Sequence, residues 1–400
     1  MFSIFTARLR AEIETVKQVR EAHDRFRELV FSSPSASHEP DHTGSRNESA
    51  ATHIATDQRQ ENEGLQKQLE DIRRQVPSNS SWQVYDHCAA FTRLYAVYEQ
   101  FIEELISDYL RILPELHEKY EDLPEGITKQ HRIGTGQILL KLGKDGPYKH
   151  LAEKRVISDL AQALVGDVNY RLLRDAFLTD PQNYRAEVLG KLFGYVGIEN
   201  CWAWVEKHPL VVTFMDRERD QTETPATVLN EFVEYRNKAA HTNVLETVAT
   251  EEVRSTADCV MVICEALAQL VMKQVVRRRE QLGQMSIAGE VVHKFSDRII
   301  GASMRAGNVF VGGEMVAVQK YACYKVQVRS IQIGDVPYER LDVNDGQEIG
   351  LGLDLAVKQG ALLMSLPAAP PSNREERPQE NLPPDAAPLT EPDEAPADIE

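Results

Sequence analysis

Three residues in the middle of the chain have the types and spacing for electrostatic and acid–base chemistry on an anion. They stand in the string Glu234-Tyr235-Arg236-Asn237-Lys238-Ala239-Ala240-His241-Thr242-Asn243. Arginine is a fixed planar cation that matches phosphate oxygens, and histidine titrates near neutrality. On a helix, five steps turn about 140°, so Arg236 and His241 do not share a ridge. Asn237 and His241, four apart, do share one, and Arg236 is one step round from Asn237. A cation, an amide and an imidazole therefore border one quadrant, a set suited to a phosphodiester. Leu229, Phe232, Val233 and Ala240 give the same helix an apolar side, and Arg236 falls on it. An arginine taken into such a face is costly unless it has a partner or a task.

The elements that must position this string are helical. Residues 1 to about 30 predict a charged amphipathic helix, with Ile4, Leu9, Ile13, Val16, Val19 and Phe26 at helical spacing. Phe31 to about Ala55 is rich in Ser, His, Thr and Asn and predicts a loop, in which His38, His42 and His53 are not expected to hold a metal. A second polar helix is expected over about Thr56 to Gln75. Trp82 opens the clearest helix: Leu94, Tyr98, Phe101, Leu105 and Tyr109 recur at its period, with Tyr95, Ile102 and Ile106 widening the stripe. Gly134-Thr135-Gly136 lacks a preceding strand or a following Lys-Ser/Thr, so it is not a phosphate loop and reads as a helix N-cap turn. A helix from about Thr227 carries Arg236. A last long helix follows, with Glu251 and Glu252 in its first turn, Arg277 to Arg279 in its last, and Val260, Ile263, Leu267, Leu270 and Val271 as its buried stripe.

The ordered string Tyr-Arg-Asn-Lys-x-Ala-His-Thr-Asn resembles the Arg-x4-6-His motif of HEPN domains, an all-α superfamily with many RNA-cutting toxins and defence proteins. The segment Cys88 to Phe101 also looks like the first core helix of such ribonucleases, and Glu99 and Glu103 lie where they can orient the motif arginine. The resemblance implies a homodimer whose two motifs line one cleft and cut RNA without metal. It implies that Arg236 stabilises transition-state charge, that His241 acts as general base or acid for attack by the ribose 2′-OH, and that Asn237 positions the motif. A noncatalytic dimer that binds RNA or a client is the competing expectation.

Composition limits the partners. The formal charge is −17, and the segment from Ser372 holds nine acids against two arginines, so the remaining body is also acidic. Phosphate neutralisation supplies most nonspecific nucleic-acid affinity, so any RNA contact must be local. Candidate basic clusters are Arg277-Arg278-Arg279, Lys141/Lys144/Lys149 and Lys154-Arg155. Five scattered cysteines, with no C-x-x-C pair, fit a reducing cytoplasm and argue against zinc or disulfides. Cys259 and Cys264 read as core filler. No apolar run is expected to cross a bilayer, and neither cofactor nor metal is implied.

After Gly283 the chain becomes strand-rich, with Val291-Val292, Asn308 to Val311, Met315 to Val318 and Lys325 to Arg329 punctuated by glycines. About 80 residues of short strands predict a small closed barrel. Ser330-Ile331-Gln332-Ile333, Gly346-Gln347-Glu348-Ile349-Gly350-Leu351 and Lys358-Gln359-Gly360 resemble domain 2 of translational GTPases, which implies contact with tRNA or the ribosome. No GTPase domain accompanies them. The expected class is multidomain α+β: a polar helical extension (1–79), a HEPN-like bundle (80–283), a barrel (287–366) and a disordered Pro-rich acidic tail (367–400). The expected partners are RNA, a second copy, and an antitoxin or regulatory protein.

Overall fold

The computed structural model describes residues 3–31, 64, 66–143, 146, 148–166, 170–179, 183–241 and 247–366, the side chains of Ser3, Ile4 and His241 excepted. The loop with His38, His42 and His53, the expected helix start at 56–63, Lys144 and the tail from Pro367 lie outside the described residues. The helices are α1 (Ser3–Phe31), α2 (66–75), α3 (Asn79–Leu116), α4 (Glu125–Lys141), α5 (Glu153–Val165), α6 (Ala186–Tyr195), α7 (Cys201–Val205), α8 (Pro209–Glu218), α9 (Pro225–His241) and α10 (Thr250–Gln281). Short 3₁₀ turns occupy Tyr120–Asp122 and Arg174–Ala176.

Helix α3 is the axis of the bundle and packs on α1, α9 and α10. It starts where Ser78 Oγ accepts from the Ser81 amide at 3.2 Å, and its expected stripe is buried from Phe91 to Tyr109. Helix α1, expected as part of a polar extension, packs in the same core through Leu9, Ile13 and Val16. Two later positions of its expected stripe do not follow: Val19 is 48% and Phe26 43% exposed. The inward positions after Val16 are taken instead by Arg20 and Arg27, each 3.5 Å from the buried Asp86 carboxylate, with His23 Nδ1 2.8 Å from its other oxygen. Buried charges persist when paired this way.

Two further expectations need correction. Helix α10 does contain a stretch long and apolar enough to cross a membrane, but 72% of it is buried. Its apolar surface is broad because α1, α3, α7, α8 and α9 pack against it. Cys259 and Cys264 are fully buried within it, and burial pushes the Cys259 thiol up to about 12. The Gly-Thr-Gly string is not an N-cap turn but the middle of α4. A Cβ on Gly134 would lie 1.9 Å from the Ala176 carbonyl oxygen, so the glycine lets α4 touch the backbone of the Arg174–Ala176 turn. Gly134→Ala is therefore expected to cost about 3 kcal/mol, because a backbone clash cannot be relieved by a rotamer. Urea and thermal melts check it, and an unchanged midpoint would refute the backbone contact.

The strand-rich region forms the expected barrel. Its strands are β1 (Ile287–Lys294), β2 (Ile299–Met304), β3 (Gly307–Phe310), β4 (Glu314–Val318), β5 (Cys323–Ile333), β6 (Val336–Tyr338), β7 (Arg340–Val343), β8 (Gln347–Leu353) and β9 (Leu362–Ser365). The order β4-β9-β1-β2-β8-β5 closes through β4–β5 pairing into six antiparallel strands, with β6 appended to β5 and β3–β7 a separate pair. Val291, Ile300, Val328, Leu351 and Leu363 fill its interior. The barrel is latched to α10: Lys273 Nζ donates to the Gln319 and Lys320 carbonyls at 2.5 and 2.7 Å, 4.8 Å from the Trp204 ring centre. Gln269 Oε1 accepts from His208 Nε2 and the Cys323 amide, each at 3.0 Å.

Candidate functional site

Helix α9 begins at Thr224, whose Oγ1 accepts from the Thr227 amide at 3.1 Å, with Pro225 preset for the first turn. Leu229, Phe232 and Val233 are fully buried, as expected, whereas Ala240 is exposed. The helix thus leaves the core after Arg236. Its position is fixed by an aromatic ladder. Phe232 lies 6.2, 6.0 and 5.8 Å from Phe91, Tyr95 and Tyr98 of α3, and Tyr235 lies 4.8 Å from Phe91. Such ring pairs add to the burial they provide and fix helical register.

Arg236 stands at the end of this ladder. Its guanidinium carbon is 4.2 Å from the Tyr95 ring centre, a cation–π contact. Nη1 donates to Asn237 Oδ1 at 3.0 Å and to Asn183 Oδ1 at 3.1 Å. Asn183 adopts φ 45°, a left-handed conformation that asparagine tolerates better than most residues. The segment after it is tied on both sides. Tyr95 Oη accepts from the Tyr184 amide at 3.1 Å, and Tyr98 Oη donates to the Tyr184 carbonyl at 2.7 Å. Arg185 pairs with Glu234 at 2.8 Å, and the Ala186 amide donates to Asn230 Oδ1 at 3.0 Å. The guanidinium plane is held by two amide oxygens and one ring. Both of its hydrogen bonds to described residues leave from Nη1, and no described residue accepts from the other edge of the fork.

The structure brings Arg236 and Asn237 together, with Asn237 orienting its neighbour. His241 ends α9, and its side chain lies outside the described residues. The chain beyond it is pinned where the Val248 amide donates to His87 Nδ1 at 3.4 Å. Burial, then the Arg20 charge, lowers the His87 pKa, which keeps that nitrogen free to accept. The two glutamates have different surroundings. Glu103 is engaged by Arg174 at 2.8 Å and by the Tyr184 hydroxyl at 3.4 Å. Glu99, one turn after Tyr95, is within electrostatic reach of Arg236. Burial and then Glu103 raise its carboxyl pKa, against the pull of Arg236 and a Tyr95 hydrogen bond. Burial pushes the Tyr95 phenol up to about 12, so it stays neutral beneath the guanidinium.

A carboxyl raised on folding gives stability that is present below its unfolded pKa and lost as pH rises through its folded one. Glu99→Gln is expected to raise Tm at pH 7, with the gain vanishing near pH 4. Solvent screening of a partly exposed group holds the effect to about 1–2 °C. A lower Tm at pH 7 would show that the Arg236 attraction outweighs desolvation.

Asn183 and Tyr184 were not foreseen as site residues. The only signal was an asparagine before two aromatic or charged residues, which many loops share. Among the described residues no three His, Cys, Asp or Glu side chains converge as a metal-ligand set. A family model described as RiboL-PSP-HEPN matches residues 56–273, which contain α3, the Asn183 segment, α9 and most of α10. No curated protein and no solved structure matches the chain.

Proposed function

Since the chain belongs to the RiboL-PSP-HEPN family, whose model spans more than half its length, we propose that it is a metal-independent endoribonuclease acting as a homodimer. The observation that carries this reading is Arg236, held edge-out by Asn183, Asn237 and Tyr95. A preorganised cation does not have to be reoriented as charge develops, and this is commonly the largest catalytic contribution. In the reaction the ribose 2′ oxygen attacks phosphorus and gives its proton to His241. The 5′ oxygen leaves and takes a proton, and the Arg236 guanidinium meets the non-bridging oxygens. Two subunits supply two imidazoles, one as base and one as acid. The products are a 2′,3′-cyclic phosphate and a free 5′-hydroxyl.

A cytoplasmic role in bacterial defence or toxin–antitoxin control fits such chemistry, with an antitoxin or regulatory protein as restraint. The barrel, by its likeness to domain 2 of translational GTPases, serves as the targeting module toward tRNA or the ribosome. The test is purified protein with total tRNA in EDTA, followed by end-group analysis. Discrete cuts with cyclic phosphate ends, abolished by 2′-deoxy substitution at the cut site, support the enzyme. Intact RNA with a shifted band supports the noncatalytic binder instead, and dependence on added metal would overturn metal independence.

A further inference from the structure

Among the described residues, the open cavity of about 670 Å³ beside α4 is lined by no carboxylate, although the chain is acidic overall. One wall is a straight helical ridge, Lys129, Ile133, Gln137 and Lys141, each one turn from the next. Gln130 behind it is fixed by a 2.9 Å hydrogen bond to the Ala176 carbonyl. Thr179, Gly194 and Tyr195 complete its lining. The two lysines are separated by 12 residues of helix, about 18 Å. Among the described residues neither has an ion-pair partner, while many of the chain's other cations do. Lysine ends, an amide and an apolar stretch between them, and an aromatic residue in the lining are the ingredients that hold a single-stranded nucleic acid: charge along the backbone and a face for a base.

The groove also lies close to the Arg236 site. Thr179 on its wall is four residues from Asn183, and four residues span at most about 14 Å. Helix α6 runs from Ala186, bonded to α9, to Tyr195 at the groove. We infer that this groove is a binding track for a single-stranded segment of RNA several nucleotides long, leading to or from Arg236. The inference rests on the ribonuclease reading for its direction but not for its binding test. An acidic protein then attracts RNA along one strip rather than over its whole surface.

The test uses the full chain and a 12-nucleotide single-stranded RNA with 2′-O-methyl sugars, which cannot be cut by 2′-OH attack. Lys129→Gln with Lys141→Gln is expected to weaken binding about tenfold. Losing two phosphate contacts should also reduce the slope of log affinity against log salt by about 1.4. Tyr195→Ala is expected to weaken binding severalfold without changing the slope. Cleavage of a dinucleoside monophosphate, too short to reach the groove, should be unchanged in the lysine variant. Unaltered binding and slope in a folded double variant would overturn the track. So would absence of binding in the unaltered protein, or equal competition by a polyglutamate of matching charge. If no RNA is cut but the uncleavable strand binds through the lysines, the ribonuclease reading fails and the track stands.

Discussion

Replacing Arg236 by alanine is expected to lower single-turnover RNA cleavage by about 10²- to 10³-fold, the usual loss when one preorganised donor to a developing oxyanion is removed. The loss comes from geometry, not from charge alone. The guanidinium is clamped by two amide oxygens and a tyrosine face, so one edge of its fork points in a fixed direction. Arg236→Lys keeps the charge but lacks the planar fork and its second edge, and it should still lose at least about tenfold. The fold should survive both changes. The stacking and hydrogen bonds lost are worth about 1–3 kcal/mol together, against stabilities typically several times larger. Circular dichroism and melting separate the two effects. Full activity in a folded Arg236→Ala protein would remove Arg236 from the mechanism.

Much of this arrangement was legible because the pattern was local. The stripe of α3 and the apolar face of α9 repeat at the helical period, and both meet in the core through the ladder from Phe91 to Phe232. Where partners come from distant segments, the pattern misled. The inward face of α1 changes from Val16 to Arg20 because Asp86, far along the chain, lies opposite, and no periodicity reveals that pairing. Gly134 looks like a helix breaker, yet it lies inside a helix because another backbone touches it. Helix α10 reads as ordinary amphipathic, while its burial on nearly every side gives it membrane-like composition. Strand β2, with Gly301, Ala302 and Ser303 at its centre, has weak strand character of its own and is formed by its neighbours β1 and β8.

The same contrast applies to the site. Arg236 and Asn237 were visible as a string, but Asn183, which fixes the guanidinium from the other side, lies outside any motif. Its role depends on a left-handed backbone and on Tyr95 and Tyr98 gripping the next residue. Asn183→Ala should therefore act through Arg236 as a positioning change. The acidic balance of the chain has a parallel logic. Glu99 and Glu103 stand near the Arg236 cation; Arg174 pairs with Glu103, and burial raises the Glu99 carboxyl pKa. A site that tolerates a costly carboxyl beside its arginine has given up some stability for its arrangement.

His241→Ala is expected to lower cleavage by about 10²- to 10⁴-fold, the range for loss of a positioned proton-transfer group. The way it does so in mixtures tests the dimer as well as the residue. If one imidazole takes the 2′ proton while the other protonates the leaving oxygen, a dimer with one altered subunit is crippled. With subunit exchange at a nine-to-one excess of the variant, statistical pairing leaves about 1% unaltered dimers although about 10% of chains are unaltered. Activity should therefore fall with the square of the unaltered fraction. If each subunit works alone, it falls only in proportion. A proportional fall would separate the two motifs and confine the chemistry to one subunit, whereas a squared dependence requires both helix ends at one scissile phosphate.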